Sequence, residues 1–129
     1  MVIGQVVFPN TASPSQNYYH TPWFPRQGDK GEFLWELIDF ANPAGDPGLA
    51  ITVEFQTKNS EDIDSGASVI GTSGPVNSVS SPALAVNTIY SASFSGAEEL
   101  VRFRFTILGD NRSDFWAHLR ALNVSWSTN

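Results

Sequence analysis

In Leu100–Leu108, Leu-Val-Arg-Phe-Arg-Phe-Thr-Ile-Leu, apolar and polar side chains alternate with a period of two. Successive side chains of a strand point to opposite faces, so Val101, Phe103, Phe105 and Ile107 share a buried face. Burying those four contributes roughly 1.5–3 kcal/mol each. Arg102, Arg104 and Thr106 take the other face, with the two guanidinium groups about 7 Å apart along the strand. The stretch 49–57 repeats the pattern: Leu49, Ile51, Val53 and Phe55 point inward, Thr52, Glu54 and Gln56 outward.

The same reading predicts a first strand over 2–8 and another over 32–40. The second could line a helix face through Phe33, Leu34, Leu37, Ile38 and Ala41, but too few residues lie between its breakers, so a strand is expected. Strands are also expected over 83–94 and 99–108 around the turn Ser95-Gly96-Ala97-Glu98, and over 115–126. In this last segment Phe115, Ala117 and Leu119 share one parity while Leu122, Val124 and Trp126 share the other. That change of face near Ala121 predicts a β-bulge or a bend. Turn chemistry marks 28–31, 42–48 and 109–114.

Two segments break the pattern. Residues 18–25, Tyr-Tyr-His-Thr-Pro-Trp-Phe-Pro, carry two prolines, which suit an edge strand or an extended loop. Residues 58–82 are rich in Ser, Gly, Asn and Asp and read as a long loop with one short strand near 67–71. About eight short strands separated by turns indicate an all-β, antiparallel sandwich of jelly-roll type, folded as one domain over residues 1–129. Its N-terminal strand and aromatic arm would occupy 1–31.

Composition narrows the function. The 129 residues carry a formal net charge of −6, which argues against a protein that tracks phosphates or contacts nucleic acid directly. There are no cysteines, so disulfides and thiolate metal sites are excluded. The N-terminus lacks the basic and apolar regions of a secretory signal, and no apolar run approaches the ~20 residues of a membrane-spanning helix. On this reading the sequons at Asn111 and Asn123 are accidental.

Candidate chemistry is sparse. The two histidines, His20 and His118, lie far apart and outside any metal-ligand spacing. Neither a nucleophile elbow nor a phosphate-binding loop is present, so no catalytic residues and no cofactor are expected. Glu61, Asp62 and Asp64 form an oxygen-rich cluster, a candidate for Ca²⁺ or, as paired carboxylates, for glycoside hydrolysis. Solvated loop acids are the plainer account.

The binding candidates are the aromatics Tyr18, Tyr19, Trp23 and Phe24 and the arginines Arg102, Arg104 and Arg120. The aromatic rings could be buried within the subunit, anchor a protein interface, or stack on sugars. Arg102 and Arg104 could pair with outward carboxylates such as Glu54 or Glu36, or with a neighbouring subunit.

A small, acidic, cysteine-free chain of short strands resembles the decoration, or cement, proteins of tailed-phage capsids. The matching parts are the aromatic stretch 18–25, the loop 58–82, and the closing strands Leu100–Leu108 and 115–126. This resemblance implies a non-enzymatic virion structural protein, made in the host cytoplasm. It would be a jelly roll, often trimeric, that binds the major capsid protein and stabilises the shell. The alternative is a carbohydrate-binding module or lectin-like domain that uses the exposed aromatics.

Overall fold

A computed structural model describes residues 3–8, 16–41, 50–108 and 116–127. Among them are nine strands: β1 (Gly4–Phe8), β2 (Gln16–His20), β3 (Phe24–Pro25), β4 (Lys30–Ala41), β5 (Ala50–Lys58), β6 (Ser68–Val76), β7 (Thr88–Ser95), β8 (Leu100–Leu108) and β9 (Trp116–Ser127). One sheet has the order β1-β9-β4-β7 and the other β2-β8-β5-β6, with the two-residue β3 added beside β8. All pairings are antiparallel.

The connectivity is that of one long ribbon rolled on itself. The innermost pair is β5 with β6, followed outward by β4 with β7, β2 with β8, and β1 with β9. Rolling the ribbon adds the pairings of β9 with β4 and of β8 with β5, which divide it into two sheets. This is the jelly-roll arrangement the alternation of the sequence leads one to expect.

The core follows from parity. β8 buries Val101, Phe103, Phe105 and Ile107, and β5 buries Ile51, Val53 and Phe55. Across the sandwich β4 supplies Phe33, Trp35 and Leu37, and β9 supplies Ala117, Leu119 and Ala121. Phe55 lies at the centre, its ring 5.3 Å from Phe33, 4.5 Å from Phe94, 5.3 Å from Phe103, 6.2 Å from Trp126 and 6.4 Å from Phe24. A single polar pin crosses this apolar layer among the described residues' buried side-chain pairs: Trp35 Nε1 donates to Ser73 Oγ at 2.9 Å, joining β4 to β6.

The change of face in the last strand is a β-bulge. Phe33 pairs with Val124 and Trp35 with Ala121, so two residues of β9, Leu122 and Asn123, oppose Leu34 alone. Val124 and Trp126 thereby return to the core side. The aromatic arm is indeed at a sheet edge: β2 and β3 both pair with β8, and Thr21 N–H donates to the Phe103 carbonyl between them at 3.0 Å. The turn expected at 95–98 joins β7 to β8, with Gly96 at a φ of +83°. The turn blocks at 42–48 and 109–114, together with Phe115, lie outside the described residues.

Two expectations need correction. The short strand expected near 67–71 is the start of the nine-residue strand β6, so within 58–82 only 59–67 and 77–82 are connections. Apolar alternation is missing from β6 because the strand packs by close approach. A Cβ on Gly71 would lie 2.7 Å from the Ser93 carbonyl oxygen and 2.9 Å from Phe33 Cε1. The strand expected over 83–94 starts only at Thr88. Residues before it are held instead by the Tyr90 hydroxyl, which donates to the Ala83 carbonyl at 2.8 Å and accepts from Ala85 N–H at 3.1 Å.

Phe55→Ala should remove the centre of the ring cluster and cost about 3–5 kcal/mol of stability. Urea unfolding of the variant measures the loss directly. A cost below about 1 kcal/mol would mean that the ring is not central to the core.

Candidate functional site

The outer face of the five-stranded sheet gathers most of the cationic and aromatic groups singled out in the sequence. The inward turn of β8's apolar residues leaves Arg102, Arg104 and Thr106 pointing outward. Strand register then sets their neighbours in rows: His20–Arg104–Glu54, Tyr18–Thr106–Thr52, and Arg102 beside Gln56.

At one end of this face Trp23 lies over the cations. Its ring centre is 4.3 Å from Arg102 Cζ and 5.0 Å from Lys58 Nζ, close enough for cation–π attraction. Arg102 and Lys58 point away from the core, yet each is only 8% exposed, a degree of burial the covering indole helps to explain. Asp64, in the 3₁₀ turn Asp64–Gly66, ties the group together. Its Oδ1 accepts from Lys58 Nζ at 2.8 Å and from Trp23 Nε1 at 3.1 Å, while Arg102 approaches Oδ2 at 3.9 Å. Lys58 also donates to the Asp62 carbonyl at 2.9 Å, and Arg102 Nε to Gln56 Oε1 at 2.8 Å.

The Lys58 hydrogen bond, helped by the indole N–H and Arg102, holds the Asp64 carboxyl below the usual carboxylate range. Partial burial, with Arg102 and Arg104 nearby, lowers the His20 pKa below the usual imidazole value.

Further along the face, Arg104 is held more loosely. Its Cζ lies 4.2 Å from the Tyr18 ring centre, and its Nη1 reaches Glu54 Oε1 at 3.5 Å. Its buried Nε has no hydrogen-bond partner. Tyr18, Thr52, Glu54, Arg104 and Thr106 line an open hollow of about 210 Å³.

The structure therefore brings Tyr18, Trp23, Arg102 and Arg104 onto one face and disperses the other candidates. Tyr19 has the opposite parity from Tyr18 and packs inward, 6.3 Å from Phe105. Phe24 is drawn into the core against Phe55 and Phe103. Arg120 lies on the other sheet and pairs with Glu36 at 2.9 Å, so only Glu54 of the two expected carboxylates serves the Arg102–Arg104 strand. His118 also lies on that sheet, beside Gln5 at 3.4 Å.

Glu61, Asp62 and Asp64 do not come together as a ligand set. Among the described residues no three His, Asp or Glu side chains converge as metal ligands. The Lys58 ammonium already sits against the Asp64 carboxylate and the Asp62 carbonyl, where a cation would be needed. Asp62 turns its own carboxylate to Asn59 N–H at 3.1 Å.

A second surface was not legible in the sequence. Where β6 and β7 diverge, a groove of about 580 Å³ opens between the edges of the two sheets, lined by residues that include Ser73, Pro75, Ser80, Ile89 and Ser91. None of its lining side chains is charged. Near it Val79, Val86 and Ile89 are 65%, 49% and 55% exposed.

Comparison with protein-family models, with curated proteins and with solved structures finds no match for this chain.

Asp64 gives the cation cluster a pH dependence of definite sign. Because its folded pKa is depressed, its stabilising contribution is full above the ordinary aspartate value of 3.8 and is lost as pH falls through the lower folded value. Acid titration of tryptophan emission should show a transition in that window as Trp23 is released. Asp64→Asn should abolish it; a transition that persists unchanged in the variant would contradict the assignment.

Proposed function

We propose that this chain is a non-enzymatic virion structural protein, a capsid decoration protein that stabilises the shell through contacts with its own copies and with the major capsid protein. The jelly roll is shared by capsid and lectin domains, and a fold alone does not decide between functions. The observation that carries the reading is the edge of β7 over 88–92, where it lines the groove; beyond it Gly71 of β6 closes on Ser93.

Sheet edges expose unpaired backbone groups, and soluble proteins guard them with charges, prolines or bulges. β7, Thr-Ile-Tyr-Ser-Ala-Ser-Phe-Ser, has none of these, and it pairs with β4 over eight residues without a register shift. The uncharged groove and the exposed Val79, Val86 and Ile89 lie alongside. An edge of this kind suits a protein that functions when another surface covers it.

This reading moves the anchors. Tyr19 and Phe24 are spent on the core, so Ile89, Val86 and Val79 replace the aromatic arm as the apolar contacts. A homotrimer contacting the capsid would bury these groups at subunit junctions, and binding only to the assembled shell stabilises that state by mass action. Stable contacts of this type bury about 800 Å² per partner.

Ile89→Lys places a charge on the edge while leaving the core intact. The expected result is a shift of the solution mass from trimer toward monomer. Cosedimentation with shells assembled from the major capsid protein of the same genome should also weaken by at least about tenfold. A wild-type chain that stays monomeric at high concentration and does not sediment with such shells would contradict the proposal.

A further inference from the structure

The hollow at Arg104 has the makings of a ligand site that the capsid-facing role does not use. A pyranose presents apolar C–H patches ringed by hydroxyls, each able to donate and to accept. A complementary site needs an apolar wall and a mixed set of polar groups at its rim. Here the part of the Tyr18 ring that the Arg104 guanidinium leaves uncovered supplies the wall, the residue being 47% exposed. Arg104 offers donors only, Glu54 as a carboxylate offers acceptors only, and the Thr52 and Thr106 hydroxyls offer both.

Arg104 is the reason to look for an occupant. A guanidinium has five N–H donors, yet its carboxylate contact is one separation of 3.5 Å, and its Nε is buried without a partner. Nε has almost no accessible surface and is beyond a ligand's reach; the donors a hydroxyl in the hollow can meet are the Nη groups of this partly exposed side chain. The opposite end of the same face makes the contrast: Lys58 and the Trp23 N–H donate to Asp64, and Arg102 Nε donates to Gln56.

Size and charge narrow the ligand. At about 210 Å³ the hollow is smaller than the roughly 300–1,000 Å³ of pockets for drug-sized ligands, so it takes one ring rather than several. Glu54 offsets the charge of Arg104, and the chain as a whole is acidic, so an anionic sugar gains little. The groups stand on three adjacent strands, β2, β8 and β5, which hold them rigidly, and the guanidinium 4.2 Å from its centre steadies the Tyr18 ring.

We propose that the Tyr18–Arg104–Glu54 hollow is a subsite for one neutral pyranose unit of a glycan, with Tyr18 as apolar wall and Arg104, Glu54, Thr52 and Thr106 contacting hydroxyls. The claim is independent of the β7 edge, which lies at the far side of the sandwich's strand order.

The test is an amide NMR titration of the full chain with glucose, galactose, mannose, N-acetylglucosamine and, as the anionic arm, glucuronic acid. At least one neutral sugar should produce saturable shifts centred on residues 18, 52, 54, 104 and 106. Tyr18→Ala and Glu54→Gln should each weaken that affinity by at least about tenfold, while Ile89→Lys keeps it. Spectral dispersion reports whether each variant is folded, and Glu54→Gln, a near-isosteric change at a partly exposed position, serves if Tyr18→Ala is not. No saturable shift with any neutral sugar, shifts centred elsewhere, a response to glucuronic acid alone, or unchanged affinity in the folded variants would overturn the proposal.

Discussion

The position of one ring, Phe55, conditions most of the molecule. It stands on β5 but touches rings from both sheets: Phe33, Phe94 and Trp126 from one, Phe103 and Phe24 from the other side. Burying it fixes the parity of β5, because a slip of one residue would send every side chain to the wrong face. With that parity set, Glu54 and Gln56 must point outward, and pairing with β8 puts them beside Arg104 and Arg102. The polar face is thus a consequence of the aromatic core.

The two surfaces that result obey different constraints. On the outer face of the five-stranded sheet, the cations near Trp23 are paired, stacked and largely buried, so that region stabilises the fold more than it offers free groups. Edge strands show a similar contrast. β6 carries Pro75, register shifts against β5 and Gly74 at a φ of +109°, and the aromatic arm carries Pro22 and Pro25. These are devices that discourage further strand pairing. Neither edge of the four-stranded sheet, β1 nor β7, carries one, and what sets β7 apart is the uncharged groove beside it.

Much of the fold was legible in the sequence because burial on one side of a strand writes itself as alternation. β5 and β8 show it plainly, and in β9 even the bulge is visible, as the change of parity between Leu119 and Leu122. β6 was legible only as a short strand near 67–71, since Gly71 packs by having no side chain and Ser73 by bonding Trp35. The candidate face was half legible. Arg102, Arg104, Tyr18 and Trp23 were identified, but which of two adjacent tyrosines faces outward depends on register with β8. Lys58 and Asp64 join Arg102 and Trp23 across long sequence separations, and Arg120 finds Glu36 only because β9 pairs with β4. Such partnerships are properties of topology, which local pattern does not encode.

Amide hydrogen exchange across β7 is the most direct test of the central claim, that this edge is built to be covered. Exchange would be followed by mass spectrometry for the chain diluted to its free form and for the chain on assembled shells. The account predicts that peptides spanning Thr88–Ser95 become strongly protected on the shell while those of the aromatic arm change little. Unchanged exchange in β7, with protection appearing instead across Gln16–Pro25, would contradict it.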